Sequence, residues 1–187
     1  MNSMASYKSI NLSGSIVVPG DKSISHRALI IGSLVNGKLK INNLLESEDV
    51  IATAEALKTL GLKIDKTDNV WEVFGTGIGN LSGSNYRLNM GNSGTGSRLI
   101  MGLIAGSDVE ATISGDVSLS KRPMKRIILP LSKTGAIFKN PNDGFLPVTI
   151  KGSKIPLPIE YISPVASAQI KSSILLTGLS STGNTTV

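Results

Sequence analysis

A pattern of about seventy residues, met three times, constrains this chain more than any other feature. Small polar residues, one basic residue and then an apolar run with glycine recur at Ser23–Leu34 (S-I-S-H-R-A-L-I-I-G-S-L), Ser93–Ile104 (S-G-T-G-S-R-L-I-M-G-L-I) and Ser167–Leu179 (S-A-Q-I-K-S-S-I-L-L-T-G-L). The basic residues Arg27, Arg98 and Lys171 stand 71 and then 73 positions apart. None of the apolar runs has a strongly polar face, so each segment reads as a short helix buried on most sides. The polar first turn of each is a natural place for caps and for free backbone N–H groups.

The stretch after each helix recurs as well. A glycine-containing turn leads to an expected strand at Leu39–Asn42, at Glu110–Ser114 and at Thr185–Val187. A second helix comes next at Asp49–Leu60 and at Met124–Lys133, stopped by Gly61 and Gly135 respectively. Further strands are expected at Val70–Phe74 and Val148–Ile150. Chance likeness among short apolar helices is the competing explanation, but two matched helices at a consistent offset favour a genuine repeat. The expected fold is therefore α/β, with repeated βαβαββ units, helices packed inside and mixed sheets outside. The third unit breaks off in its first strand after the helix.

Composition narrows the function classes. The chain has 187 residues, 40% hydrophobic and 17% charged, enough for one sizeable domain or one domain plus a fragment. It holds no cysteine and one histidine, His26, which excludes disulfides, thiolate metal sites and multi-histidine metal sites. The polar stretch Met1–Tyr7 lacks the apolar core of a secretory signal, and no apolar run approaches a membrane span. The expectation is a cytoplasmic protein with no membrane partner. A net charge of +6 suits nucleic acid or small polyanions. Aromatic residues are only 4% and the cations are scattered, apart from Lys121, Arg122, Lys125 and Arg126, so small polyanions are favoured over nucleic acid.

Four stretches could hold anions. In P-G-D-K-S-I-S-H-R (Pro19–Arg27) the expected strand Ile16–Val18 ends and a helix opens, with Lys22 as a point charge and Arg27 as a planar fork near the positive dipole end. An N-cap serine with two solvated cations is the ordinary alternative. In G-N-S-G-T-G-S-R (Gly91–Arg98) three glycines allow close backbone approach to a ligand. Neither the G-x-x-x-x-G-K-[ST] nor the G-x-G-x-x-G pattern is met there, so nucleotide hydrolysis is not supported. In S-L-S-K-R-P-M-K-R (Ser118–Arg126), Pro123 suits a first helical turn and would put Arg122 at a helix start, against the dipole unless an anion is near. In S-P-V-A-S-A-Q-I-K-S-S (Ser163–Ser173), hydroxyls and an amide at a helix start suit phosphate and sugar-like hydroxyls, or are plain caps.

Together D-K-S-I-S-H-R-A, G-N-S-G-T-G-S-R, L-S-K-R-P-M and A-S-A-Q-I-K-S resemble the N-terminal half of the 5-enolpyruvylshikimate-3-phosphate synthase family, in the family's order; the S-A-Q-I-K and K-R-P-M forms resemble its class II bacterial branch. The resemblance implies transfer of enolpyruvyl from phosphoenolpyruvate to the 5-hydroxyl of shikimate 3-phosphate, with no metal or organic cofactor and a monomeric enzyme. It implies two similar domains of three βαβαββ units each. Residues 1–18 would then be a strand segment belonging with a C-terminal domain, and 19–187 an incomplete N-terminal domain. Lys22 would bridge both substrates and take part in catalysis. Ser23, Arg27, Ser167, Ala168 and Gln169 would meet shikimate 3-phosphate; Asn92, Gly94, Arg122 and Gln169 would meet phosphoenolpyruvate. A side chain larger than Gly94 would intrude on that pocket, where glyphosate binds in the family. Arg98 and Lys171 are left between a binding and a structural role, and His26 is expected to pack or cap. The family's general acid and base lie outside this stretch. The UDP-N-acetylglucosamine enolpyruvyl transferases are the alternative within the fold, but they carry Lys-Asn where this chain has Lys22-Ser23; the alternative from a different class is a non-catalytic anion-binding or nucleic-acid-binding module.

Overall fold

The computed structural model describes residues 4–9, 11–139 and 143–187. The elements run α1 (Lys22–Leu34), β1 (Asn36–Asn42), α2 (Glu48–Thr59), β2 (Lys63–Thr67), β3 (Val70–Thr76), β4 (Ser82–Asn89), α3 (Gly94–Ala105), β5 (Asp108–Ser114), α4 (Val117–Ser120), α5 (Lys125–Ser132), β6 (Ile137–Lys139), β7 (Val148–Lys151) and α6 (Ala168–Gly178). The helices read from the repeat, and the strands expected at Leu39–Asn42, Val70–Phe74, Glu110–Ser114 and Val148–Ile150, are recovered within a few residues of their expected ends. A short turn, α4, divides the second unit, and β2, β4 and β6 join the strands already expected.

Two sheets cover the helices. The first is antiparallel, in the order β1-β3-β2. The second is mixed, in the order β4-β5-β7-β6, with β4 parallel to β5 and the other pairs antiparallel. Period-two alternation turns Trp71 and Val73 of β3, Val109, Ala111 and Ile113 of β5, and Val148 and Ile150 of β7 toward the helices. Every residue of α3 except Thr95 is buried, as its continuous apolar run requires. Glycines let a strand pass under each helix end. A Cβ on Gly75 would strike the carbonyls of Gly32 and Val35, and one on Gly152 would strike those of Ile104 and Ser107.

Helices α3 and α6 lie parallel, in register, and unusually close. Gln169 Nε2 donates to Thr95 Oγ1 (3.1 Å), Ser173 Oγ to the Arg98 carbonyl (2.8 Å), and Thr177 Oγ1 to the Gly102 carbonyl (2.7 Å). Gly102 makes this approach possible, since a Cβ there would lie 2.7 Å from Ser173 Cα. Helix α1 runs the same way beside α6: Arg27 reaches Ser172, and Ile30 and Ile31 face Leu175, Leu176 and Leu179 across a groove. Three polar N-termini therefore open at one end of the molecule.

Residues 11–19 are exposed and pair with neither sheet of the described residues, so the strand expected at Ile16–Val18 has no partner edge here. Two expectations need amendment. The expected strand Thr185–Val187 is reduced to a single parallel bridge between Glu160 and Thr186. Helix α6 is less enclosed than its apolar run suggests, burying only Ile170, Ser173, Ile174 and Thr177, because Leu175 and Leu179 line the open groove toward α1 and stay about half exposed.

Candidate anion site

The first corner is built by α1 and α2. Asp21, not a serine, caps α1, its Oδ1 accepting the Ile24 N–H at 2.8 Å. Lys22 opens the helix and forms an ion pair with Asp49, in the acidic first turn of α2. One turn further along both helices, His26 Nδ1 meets Thr53 Oγ1 at 2.9 Å. His26 is fully buried, and burial pushes its pKa down to about 4. The Asp49 carboxylate opposes this shift, while Lys22 and Arg27 add to it. The imidazole is therefore neutral near pH 7 and packs, as its sequence context suggested. Arg27 donates through Nη1 to the Ser23 carbonyl (3.0 Å) and through Nη2 to Ser172 Oγ (2.9 Å), tying the first corner to α6.

The second corner is the turn before α3. Asn89 Oδ1 accepts the Gly91 N–H (3.0 Å) and the Gly91 carbonyl accepts the Asp116 N–H (2.8 Å), so the turn is clamped from both sides. Asp116 caps α4 by accepting the Leu119 N–H (2.7 Å) and also takes the Asn92 amide N–H (2.7 Å). These bonds, the Leu119 one foremost, hold its carboxyl below the usual range. Asn92 is thereby oriented with its amide oxygen toward Arg122, whose Nη2 donates to it and, at 3.3 Å, to Ser118 Oγ. A Cβ on Gly94 would lie 2.9 Å from Arg122 Nη1 and 3.1 Å from Arg98 Nη1. Arg122 does not start a helix as expected. Its N–H closes back on the Leu119 carbonyl, and Pro123 precedes the α5 cap, Met124. The side chain instead crosses to the glycine turn.

The third corner is the start of α6. Ser167 caps it, its Oγ taking the Ile170 N–H at 3.3 Å, and Ala168 is its exposed first residue. Beside them lies an open cleft of about 710 Å³ lined by Ser163, Ser167, Ala168 and Lys171. Gln169 bridges this corner to the second one through Thr95. The structure thus joins Asn92, Gly94 and Arg122 directly, Ser23 to Arg27, and Gln169 to the α3 turn. Lys22 is turned toward Asp49, and no described side-chain bond joins Ala168 to the other expected site residues.

Residues 7–187 match the family model described as EPSP synthase (3-phosphoshikimate 1-carboxyvinyltransferase). The chain belongs to the EPSP synthase family. A 3-phosphoshikimate 1-carboxyvinyltransferase of Parvibaculum lavamentivorans is 53% identical over 187 residues, covering all of this chain and 42% of that protein. One from Rhodopseudomonas palustris strain BisA53 is 54% identical over 182 residues, covering 96% of this chain and 41% of that protein. A solved EPSP synthase from Acinetobacter baumannii superposes with a TM-score of 0.86 at 40% identity, over 92% of this chain and 39% of the other. The chain therefore spans about two fifths of the relatives' length.

Partners of the site residues were the part that sequence reasoning missed. Asp49 on Lys22, Asp116 on Asn92, Thr95 on Gln169 and Ser172 on Arg27 all come from other segments. Thr95 lies in the glycine-rich turn already singled out, but its counterparts in the other two copies are Ile24 and Ala168; Ser172 has Ala28 and Leu99 as counterparts, so the repeat gave no signal for either. Asp116 carries the weak signal of an Asp ahead of a short helical turn.

Proposed function

We propose that this chain supplies the N-terminal half-site for transfer of enolpyruvyl from phosphoenolpyruvate to the 5-hydroxyl of shikimate 3-phosphate, as part of aromatic amino acid biosynthesis. The observation that carries the reading is the second corner: Asn92, Gly94 and Arg122 meet at the start of a buried helix, with a guanidinium aimed by a clamped amide. Both substrates are anionic, and fixed cations with oriented N–H dipoles offset their mutual repulsion. On this reading Lys22, released from or shared with Asp49, lies between the two ligands. Ser23, Arg27, Ser167, Ala168 and Gln169 hold shikimate 3-phosphate, and Asn92, Gly94, Arg122 and Gln169 hold phosphoenolpyruvate. The partners are small molecules rather than nucleic acid or membrane, and the protein works as a monomer in the cytoplasm, without cofactor.

The 187-residue chain alone then binds shikimate 3-phosphate weakly and turns over nothing, since each missing proton-transfer group is worth roughly 10² to 10⁴ in rate. Calorimetric titration with shikimate 3-phosphate should give saturable heat, and Arg27→Ala should weaken it by about 30-fold or more, the loss of a charge-assisted bond. Absence of saturable binding in the folded parent chain would overturn the reading. So would release of phosphate that needs both substrates, because the catalytic groups would then all lie within these residues.

A further inference from the structure

Arg98 is 4% exposed, yet among the described residues every ion pair uses a lysine and none reaches this guanidinium. Among the described residues its partners are two carbonyls, Gly94 (3.0 Å from Nη1) and Pro123 (3.4 Å from Nη2), and its buried Nε has none. Burial first, then Arg126 and Arg122, pull its pKa down to about 10, with no carboxylate acting the other way. Such a group is costly to bury unless something neutralises it. Arg98 and Arg122 also lie within 3.1 Å of one point, the position of a Gly94 Cβ. Two like charges converging there repel each other and favour an anion between or beside them.

We propose that Arg98 is a positioning residue of the anion site, a buried positive charge beneath Gly94 that keeps Arg122 turned outward to Asn92 and is neutralised only when a dianionic phosphoryl group sits at the turn before α3. The site thereby selects a doubly charged phosphoryl group over a singly charged anion. This rests on the phosphate subsite of the proposed function but not on the identity of the two substrates, so inorganic phosphate is a sufficient probe.

The test is calorimetric titration of the whole 187-residue chain with inorganic phosphate at pH 8, alongside Arg98→Met, Arg98→Lys and Arg122→Met. Arg98→Met should weaken phosphate binding by about tenfold or more, while its melting temperature without phosphate is no lower than the parent's. Arg98→Lys, which restores the charge, should recover affinity to within about threefold. Parent-like affinity in Arg98→Met, or loss in both the Met and Lys variants, would overturn the proposal. Should Arg98→Met fail to fold, the Nε–H resonance of Arg98 in the parent decides: a shift that saturates with phosphate supports the proposal and an unmoved signal refutes it. Unchanged binding in Arg122→Met would instead remove the phosphate subsite itself, a failure separable from that of Arg98.

Discussion

At Gly94 one hydrogen atom separates two arginines from a side chain. Alanine there would press on Arg122 Nη1, the far end of a flexible chain, so the guanidinium gives way rather than the backbone. Gly94→Ala should leave stability within about 1 kcal/mol of the parent, since alanine favours a helix more than glycine does. In the full-length protein it should weaken inhibition by glyphosate about tenfold or more; unchanged inhibition would count against the pocket assignment. His26 offers a second readout, because it is the sole histidine and its ring titrates alone in an NMR spectrum. Its folded pKa of about 4 lies below the ordinary 6.5, so the unfolded chain takes up the proton first as pH falls. The contribution is complete above pH 6.5 and is lost as pH drops toward 4, by roughly 1–3 kcal/mol. His26→Asn should flatten the stability profile in that window relative to the parent.

At the scale of elements, the seam between α3 and α6 is the contact most sensitive to size. Gly102→Ala would set a methyl group against Ser173 backbone atoms, which cannot step aside as a side chain can. The expected cost is about 1–3 kcal/mol, read from urea melts. The stretch 11–19, exposed and outside both sheets, should exchange its amides quickly in the isolated chain, while Leu99–Ile104 should be protected. Equal protection would contradict its expected pairing with a further domain. This stretch shows where sequence reading stopped. The β-branched apolar run Ile16–Val18 forms a strand only when an edge is offered to it, and pairing is a property of the neighbour. By contrast α3 was legible because its apolar run leaves a single buried solution.

Over the whole molecule, the repeat carried the architecture, and the motifs marked residues that the fold brings near one another. The three matched segments became α1, α3 and α6, and the glycine turn, Arg122 and Gln169 were brought to one end. The wiring between them stayed hidden. The placement of Arg122 depended on a proline that precedes a cap rather than entering a helix, and Asp49 and Asp116 were acids whose partners are 27 and 24 positions away.

The shared register of α3 and α6 also sets a tolerance. The hydroxyls of Ser173 and Thr177 each grip a carbonyl of the neighbouring helix, two successive teeth of one rack. Slippage by a single turn would carry Gln169 about 5.4 Å past Thr95. Before that could happen both teeth must disengage together inside a dry interior, where a stranded hydroxyl or carbonyl is penalised. Alignment at the mouth is thus gauged from the shaft, one and two turns below the surface that a ligand would touch.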